Sequence, residues 1–180
     1  MEGGERLRLF LAVPLPGEPR RRLVRWQAAS FGGASDVRPV SAENLHVTIA
    51  FLGGRPASDV PAIARELRVA AARAEPPVLR AVRYRETRSV GMVVLDDEGG
   101  QATRLADDLS RGLERLGVYE PERRPWLPHV TVLRFRRPPR LAPTPPDLGR
   151  FSPSDVALYT SVLRRTGAQY EIRESAPLGG

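Results

Sequence analysis

The chain has two histidines, and each heads a His-Val-Thr tripeptide: His46-Val47-Thr48 and His129-Val130-Thr131. The second stands 83 positions after the first (129 − 46), and two of the seven threonines fall two places after the two imidazoles. Both histidines obeying one rule favours an internal repeat over coincidence. Two imidazoles facing one another can divide proton transfer near neutral pH, one as general base and one as general acid. A threonine beside each can donate a hydrogen bond to a phosphoryl oxygen, where charge builds in the transition state. Such a set fits cleavage of a phosphodiester by attacking water, with no covalent intermediate.

Blander readings exist for each group. A lone histidine on a strand is more often a packed residue bonded to backbone, and only the duplication lifts this pair above that reading. A metal site fits less well. Neither motif carries a second ligand-type residue at i+2 or i+4, cysteine is absent, and threonine is a poor zinc ligand. No metal and no cofactor is therefore expected.

Both tripeptides lie in apolar, β-branched runs that alternate with period two, the pattern of a strand. Residues i and i+2 share a strand face. His46, Thr48 and Ala50 then point one way while Val47, Ile49 and Phe51 point the other, and His129 and Thr131 project together, backed by Val130 and Val132. Around these, Arg6–Pro14 reads as a strand ended by its proline. A helix follows, marked by Leu23, Val24, Trp26, Gln27 and Phe31 and closed by Gly32-Gly33. A second helix is capped at Ser58 or Asp59, runs along Ile63, Ala64, Leu67, Ala70, Ala71 and Ala74, and stops at Pro76-Pro77. Val78–Thr87 and Val90–Asp96 form a hairpin. A third helix repeats Ala102, Leu105, Ala106, Leu109, Leu113 and Leu116, with Gly117 at its C-terminal end. Pro138–Pro146 is a surface connection. Phe151–Leu163 and Ala168–Glu174 make a last hairpin, and a short segment around Arg38-Pro39-Val40 precedes the first motif. Strands and helices distributed this way predict an α+β fold whose repeated strands meet between two lobes.

At 180 residues and 41% hydrophobic, the chain is large enough for one well-buried core. No apolar stretch approaches the length of a membrane span, and the N-terminus lacks a signal peptide's layout, so a soluble cytoplasmic protein with no membrane association is expected. The net charge of +7 suits an anionic partner such as nucleic acid. All 28 basic residues are arginine in a chain also rich in Ala, Gly and Pro, so the charge permits such a partner without requiring it.

The pair His46-Val-Thr48 and His129-Val-Thr131 resembles the paired H-x-T-x motifs of the 2H phosphoesterase superfamily. The strings Asn44–Gly53 and Pro128–Arg134 resemble, more narrowly, its RNA 2′,3′-cyclic phosphodiesterases, once described as 2′-5′ RNA ligases. Arg6–Val13 and Leu158–Leu163 with Gly167 and Tyr170 extend the likeness over nearly the whole chain. The resemblance implies two pseudo-symmetric lobes of antiparallel sheet, helices packed outside, and a central cleft, all within a single two-lobed domain spanning 1–180. It implies metal-independent hydrolysis of a terminal RNA 2′,3′-cyclic phosphate to a 2′-phosphomonoester, by a monomer. By position, His46 would donate a proton to the leaving 3′ oxygen and His129 would act as base for water; the residues alone leave these two roles interchangeable. Thr48 and Thr131 would hold the phosphate. Arg134 matches an arginine expected to contact phosphate, but strict alternation turns it away from His129 unless the strand is twisted or bulged. The second motif ends Thr-Val-Leu-Arg where Thr-Leu-Ala-Arg is more usual.

Trp126 and Tyr159 can stack on a base but read first as packed aromatics, and Phe10 and Phe51 read as core. Arg123, Arg124, Arg136 and Arg137 flank the second motif and can reach RNA phosphates or simply remain solvated. The rival functions are another 2H activity, on 2′-5′ linkages or a small cyclic nucleotide, and an RNA-binding module that holds phosphate without turnover. Binding alone would not require two titratable imidazoles.

Overall fold

The computed structural model describes residues 4–179. It contains strands β1 (Arg6–Pro14), β2 (Val37–Pro39), β3 (His46–Pro56), β4 (Val78–Glu86), β5 (Val90–Glu98), β6 (His129–Phe135), β7 (Asp155–Arg164) and β8 (Gly167–Pro177). Helices α1 (Gly17–Phe31), α2 (Val60–Arg73) and α3 (Gln101–Arg115) complete it. The expected elements are all present, with ends moved by a few residues. β3 runs through Gly53-Gly54, a pair that would ordinarily close a strand, as far as Pro56, and the last hairpin begins at Asp155 instead of Phe151. Gly53 lets β3 continue because it takes a left-handed φ of 68°, which only glycine adopts cheaply.

All pairings are antiparallel, in the order β4-β5-β6-β3-β1-β7-β8, with β2 added on β6. The sheet nearly divides in its middle. β3 meets β6 through a single pair, Val47 opposite Val130. On one side lies the lobe β3-β1-β7-β8; on the other lies β6 with β5, β4 and β2. The lobes are not the two halves of the chain. The first is built from residues 6–14, 46–56 and 155–177, so both ends of the chain close around the first motif.

Alternation decides which face is buried. Leu9, Leu11 and Val13 of β1, Val47 and Ile49 of β3, and Val130 and Val132 of β6 join one core with Leu105, Leu109 and Leu113 of α3. Each fully buried leucine there contributes on the order of 2 kcal/mol. The stripe read for α3 is the face that packs inward. Its first turn is held by Asp97, whose carboxylate accepts from Ala102 N at 3.1 Å and Thr103 N at 2.8 Å. Gly117, at φ 70°, closes the far end while Val118 N donates to Leu113 O at 3.1 Å, the two marks of a Schellman cap. The helices therefore line the apolar side of the sheet and leave the histidine side open.

Candidate active site

The Val47–Val130 pair sets the site. In an antiparallel pairing centred there, His46 falls opposite Thr131 and Thr48 opposite His129, so all four polar side chains share the face away from the core. One bridge between two otherwise diverging strands acts as a local two-fold axis for the repeat. Trp126 crosses the same gap: its indole Nε1 donates to the Thr48 carbonyl at 3.1 Å. The half-buried ring thus ties the segment before His129 to the strand of His46, a packing role in keeping with its first reading.

The repeat reaches further than the tripeptides. Residues His46–Leu52 and His129–Phe135 have the same burial sequence, in which the positions two after the histidine are half-buried, the next two buried and the following one exposed. Two buried residues in succession break strict alternation, and the ladders show why. Opposite β1, Ala12 faces Thr48 but Leu11 faces Ala50, leaving Ile49 extra. Opposite β5, Met92 faces Thr131 but Gly91 faces Leu133, leaving Val132 extra. Both are β-bulges, 83 positions apart (132 − 49), and each returns the residue two places on, Phe51 or Arg134, to the histidine face.

This phase change resolves the position of Arg134. Strict alternation would turn it away; the bulge at Val132 brings it back, exposed, beside the histidines. Its charge and that of His129 both act on His46. The bulge is itself pinned, since the Val132 carbonyl accepts from buried Gln27 Nε2 at 2.8 Å and from Val40 N at 3.0 Å. Helical periodicity placed Gln27 on a helix face but gave no sign of this role.

The imidazoles are held alike at Nδ1 and bonded differently at Nε2. Nδ1 of His46 donates to the Asn44 carbonyl at 2.7 Å, and Nδ1 of His129 donates to the Leu127 carbonyl at 2.8 Å. A carbonyl can only accept, so each Nδ1 carries the proton and each neutral ring offers a lone pair at Nε2. For His46 that lone pair accepts from the Thr48 hydroxyl at 2.9 Å. The His46 ring stacks on Phe10 at 5.1 Å between centroids, with Tyr170 edge-on at 5.4 Å. Burial pushes its pKa from 6.5 down to about 4, opposed by the Asn44 bond and assisted by Arg134 and His129. The residue is only half-buried, and water or an anion reaching Nε2 from the cleft would move the value back up.

Of the other candidates, Tyr159 stacks on Phe10 at 5.1 Å, a packed aromatic as first read. Phe10 is buried, at 3% exposure, but on the histidine side of the sheet, where it stacks on His46; Phe51 is 49% exposed, because the Ile49 bulge turns it onto the same face. Arg123, Arg124, Arg136 and Arg137 are exposed. Among the described residues no cluster of three or more His, Cys, Asp or Glu could hold a metal ion, and no helix is long and apolar enough to cross a membrane.

Two imidazoles and two hydroxyls share one open face with an arginine returned to it by a bulge, a set of groups whose chemistry suits proton transfer at a phosphoryl group. The chain belongs to the LigT-like phosphoesterases, the 2H family that its paired motifs resemble. The family model described as LigT like Phosphoesterase matches residues 13–91, which include the first motif. Relatives cover both motifs. An Escherichia coli K12 protein named RNA 2′,3′-cyclic phosphodiesterase is 30% identical over 91% of this chain and 92% of its own length. One of the same name from Thermus thermophilus is 35% identical over 97% of this chain and 91% of its own. The crystal structure of E. coli LigT complexed with 3′-AMP matches with a TM-score of 0.84 at 28% identity, covering 98% of this chain and all of that one.

Proposed function

We propose that this chain hydrolyses a terminal RNA 2′,3′-cyclic phosphate to a 2′-phosphomonoester, acting as one two-lobed monomeric unit without a metal. The observation that carries the reading is the Val47–Val130 bridge, which sets both His-x-Thr motifs on one face about a local two-fold axis. Relatives named for this activity along nearly the whole chain support the substrate.

In this mechanism water attacks phosphorus on one side while the bond to the 3′ oxygen breaks on the other. An acid and a base are needed on opposite sides, which two imidazoles on separate strands supply. His129, whose Nε2 accepts from no protein group among the described residues, takes the proton from water. His46 gives its Nε2 proton to the departing 3′ oxygen. Thr48, Thr131 and Arg134 hold the phosphoryl oxygens as negative charge grows on them. Burial keeps His46 neutral without a ligand, so as donor it must gain its proton together with the anion, whose charge raises the pKa. Once protonated, Nε2 no longer accepts from Thr48, and that hydroxyl is released to donate to the phosphate.

The lowered pKa of His46 also favours a second reading, with the roles exchanged: a neutral buried imidazole is already a base. Both readings give the same product. Oligonucleotides ending in 2′,3′-cyclic phosphate should yield the 2′-phosphate and free 3′ hydroxyl, as resolved by chromatography against both isomers. Release of the 3′-phosphate isomer, or intact substrate, would contradict the proposal.

A further inference from the structure

On the open face the two matched strand segments differ at one position. Phe51 stands five residues after His46, as Arg134 stands five after His129, and matching bulges put both on the open face. The first motif therefore has a ring where the second has a guanidinium. An arginine nevertheless reaches this place from the neighbouring strand: the Arg8 guanidinium lies over the Phe51 ring, 4.9 Å from its centroid.

Three observations make Arg8 a ligand group. It shares a face of β1 with Phe10 and Ala12, which pair Phe51 and Thr48, so it belongs to the floor of the cleft. It is exposed, and it enters no ion pair among the described residues. Its guanidinium lies over the ring and makes no side-chain hydrogen bond among the described residues, so its N–H groups are available to a phosphate while the cation–π contact limits its freedom.

Position along β1 indicates which phosphate. Ala12 lies opposite Thr48, and Arg8 is four residues further on, about 13 Å at the usual strand rise. On β1 it stands beyond Phe10, the partner of Phe51, so its backbone lies outward of the Phe51 position and its guanidinium suits a neighbouring nucleotide.

We propose that Arg8, seated on Phe51, binds the phosphodiester on the 5′ side of the terminal nucleotide, so that the cleft recognises an RNA chain end in preference to a mononucleotide. This rests on the cyclic-phosphate reading above. The test compares kcat/KM on a trinucleotide ending in 2′,3′-cyclic phosphate with that on adenosine 2′,3′-cyclic phosphate, which has no upstream phosphate. Arg8→Ala should lower the oligonucleotide-to-mononucleotide ratio roughly tenfold, through KM, and reduce the salt slope for the oligonucleotide by about one. Phe51→Ala, which removes the seat but keeps the charge, should lower the ratio less. Arg111→Ala removes one charge on α3, from a pair with Asp108, and should leave the ratio unchanged. An unchanged ratio in Arg8→Ala, or an equal fall in Arg111→Ala, would overturn the proposal. If the wild-type chain turned over neither substrate, the activity reading would fail separately. The same ratio, read calorimetrically as Kd for a trinucleotide 3′-phosphate over 3′-AMP, would still support or overturn the role of Arg8.

Discussion

Nε2 of His46 accepts a hydrogen bond from the Thr48 hydroxyl at 2.9 Å, so one half-site is closed on itself while its counterpart at His129 and Thr131 has no such bond among the described residues. The sequence repeat is symmetric; the proton inventory is not. Opening the closed half requires either rotation of the hydroxyl or protonation of the imidazole. An anion favours the second.

Phosphate binding should therefore be linked to proton uptake. His46 is neutral in the ligand-free chain at pH 7 and charged in the complex, so the complex holds the extra proton and affinity weakens as pH rises. Titration calorimetry of 3′-AMP in buffers of different ionisation enthalpy should show uptake approaching one proton, absent in His46→Gln. No uptake in the wild type would favour His46 as the base.

Burial of the same ring has a stability consequence. The folded pKa of about 4 lies below the ordinary 6.5, so between those values the unfolded chain binds the proton and the folded chain does not. Stability should be full above pH 6.5, fall as pH drops through that window, and level off below pH 4 as far as this group is concerned. With the ring partly open to the cleft, the loss is roughly 1–3 kcal/mol. Urea unfolding from pH 7 to 4 should show this leg in the wild type and lose it in His46→Gln.

The bulge at Val132 supplies a third expectation. Gln27→Leu removes the side-chain donor to the Val132 and Val40 carbonyls and should cost about 1–3 kcal/mol of stability. If that bond fixes the phase of β6, KM should rise in Gln27→Leu and in Arg134→Ala alike, and the two changes should be less than additive. Independent, fully additive effects would show that Gln27 does not position Arg134.

Much of this was legible before folding. The motif pair, the strand that carries each member, and all three helices follow from residue type and period, because amphipathic periodicity records what is buried. That the repeated strands meet between the lobes was legible from the repeat; their register was not, since the β3–β6 contact is a single residue pair and leaves no compositional trace. A bulge was foreseen in the second motif only as the condition that would return Arg134, and its place was hidden for a related reason. Val132 is an ordinary apolar residue, and the groups that hold its carbonyl, Gln27 and Val40, are distant in sequence. Without the bulge at Ile49, Phe51 reads as core; with it, the ring lies in the cleft.

If hydroxyls and arginine grip the phosphate as proposed, turnover should be unaffected by EDTA. Activity lost on chelation and restored by a divalent ion would contradict a metal-free site.

The central claim is that His46 and His129 act as one acid–base pair, and single-turnover kinetics on an oligonucleotide ending in 2′,3′-cyclic phosphate tests it most directly. Rates should be bell-shaped in pH, with limbs belonging to the coupled pair. His46→Ala and His129→Ala should each lower kcat by ~10²–10⁴ while changing Kd far less. The double variant should fall short of the product of the single losses, because groups acting as a unit are not additive. A folded single variant that keeps near-full kcat would contradict the two-histidine account.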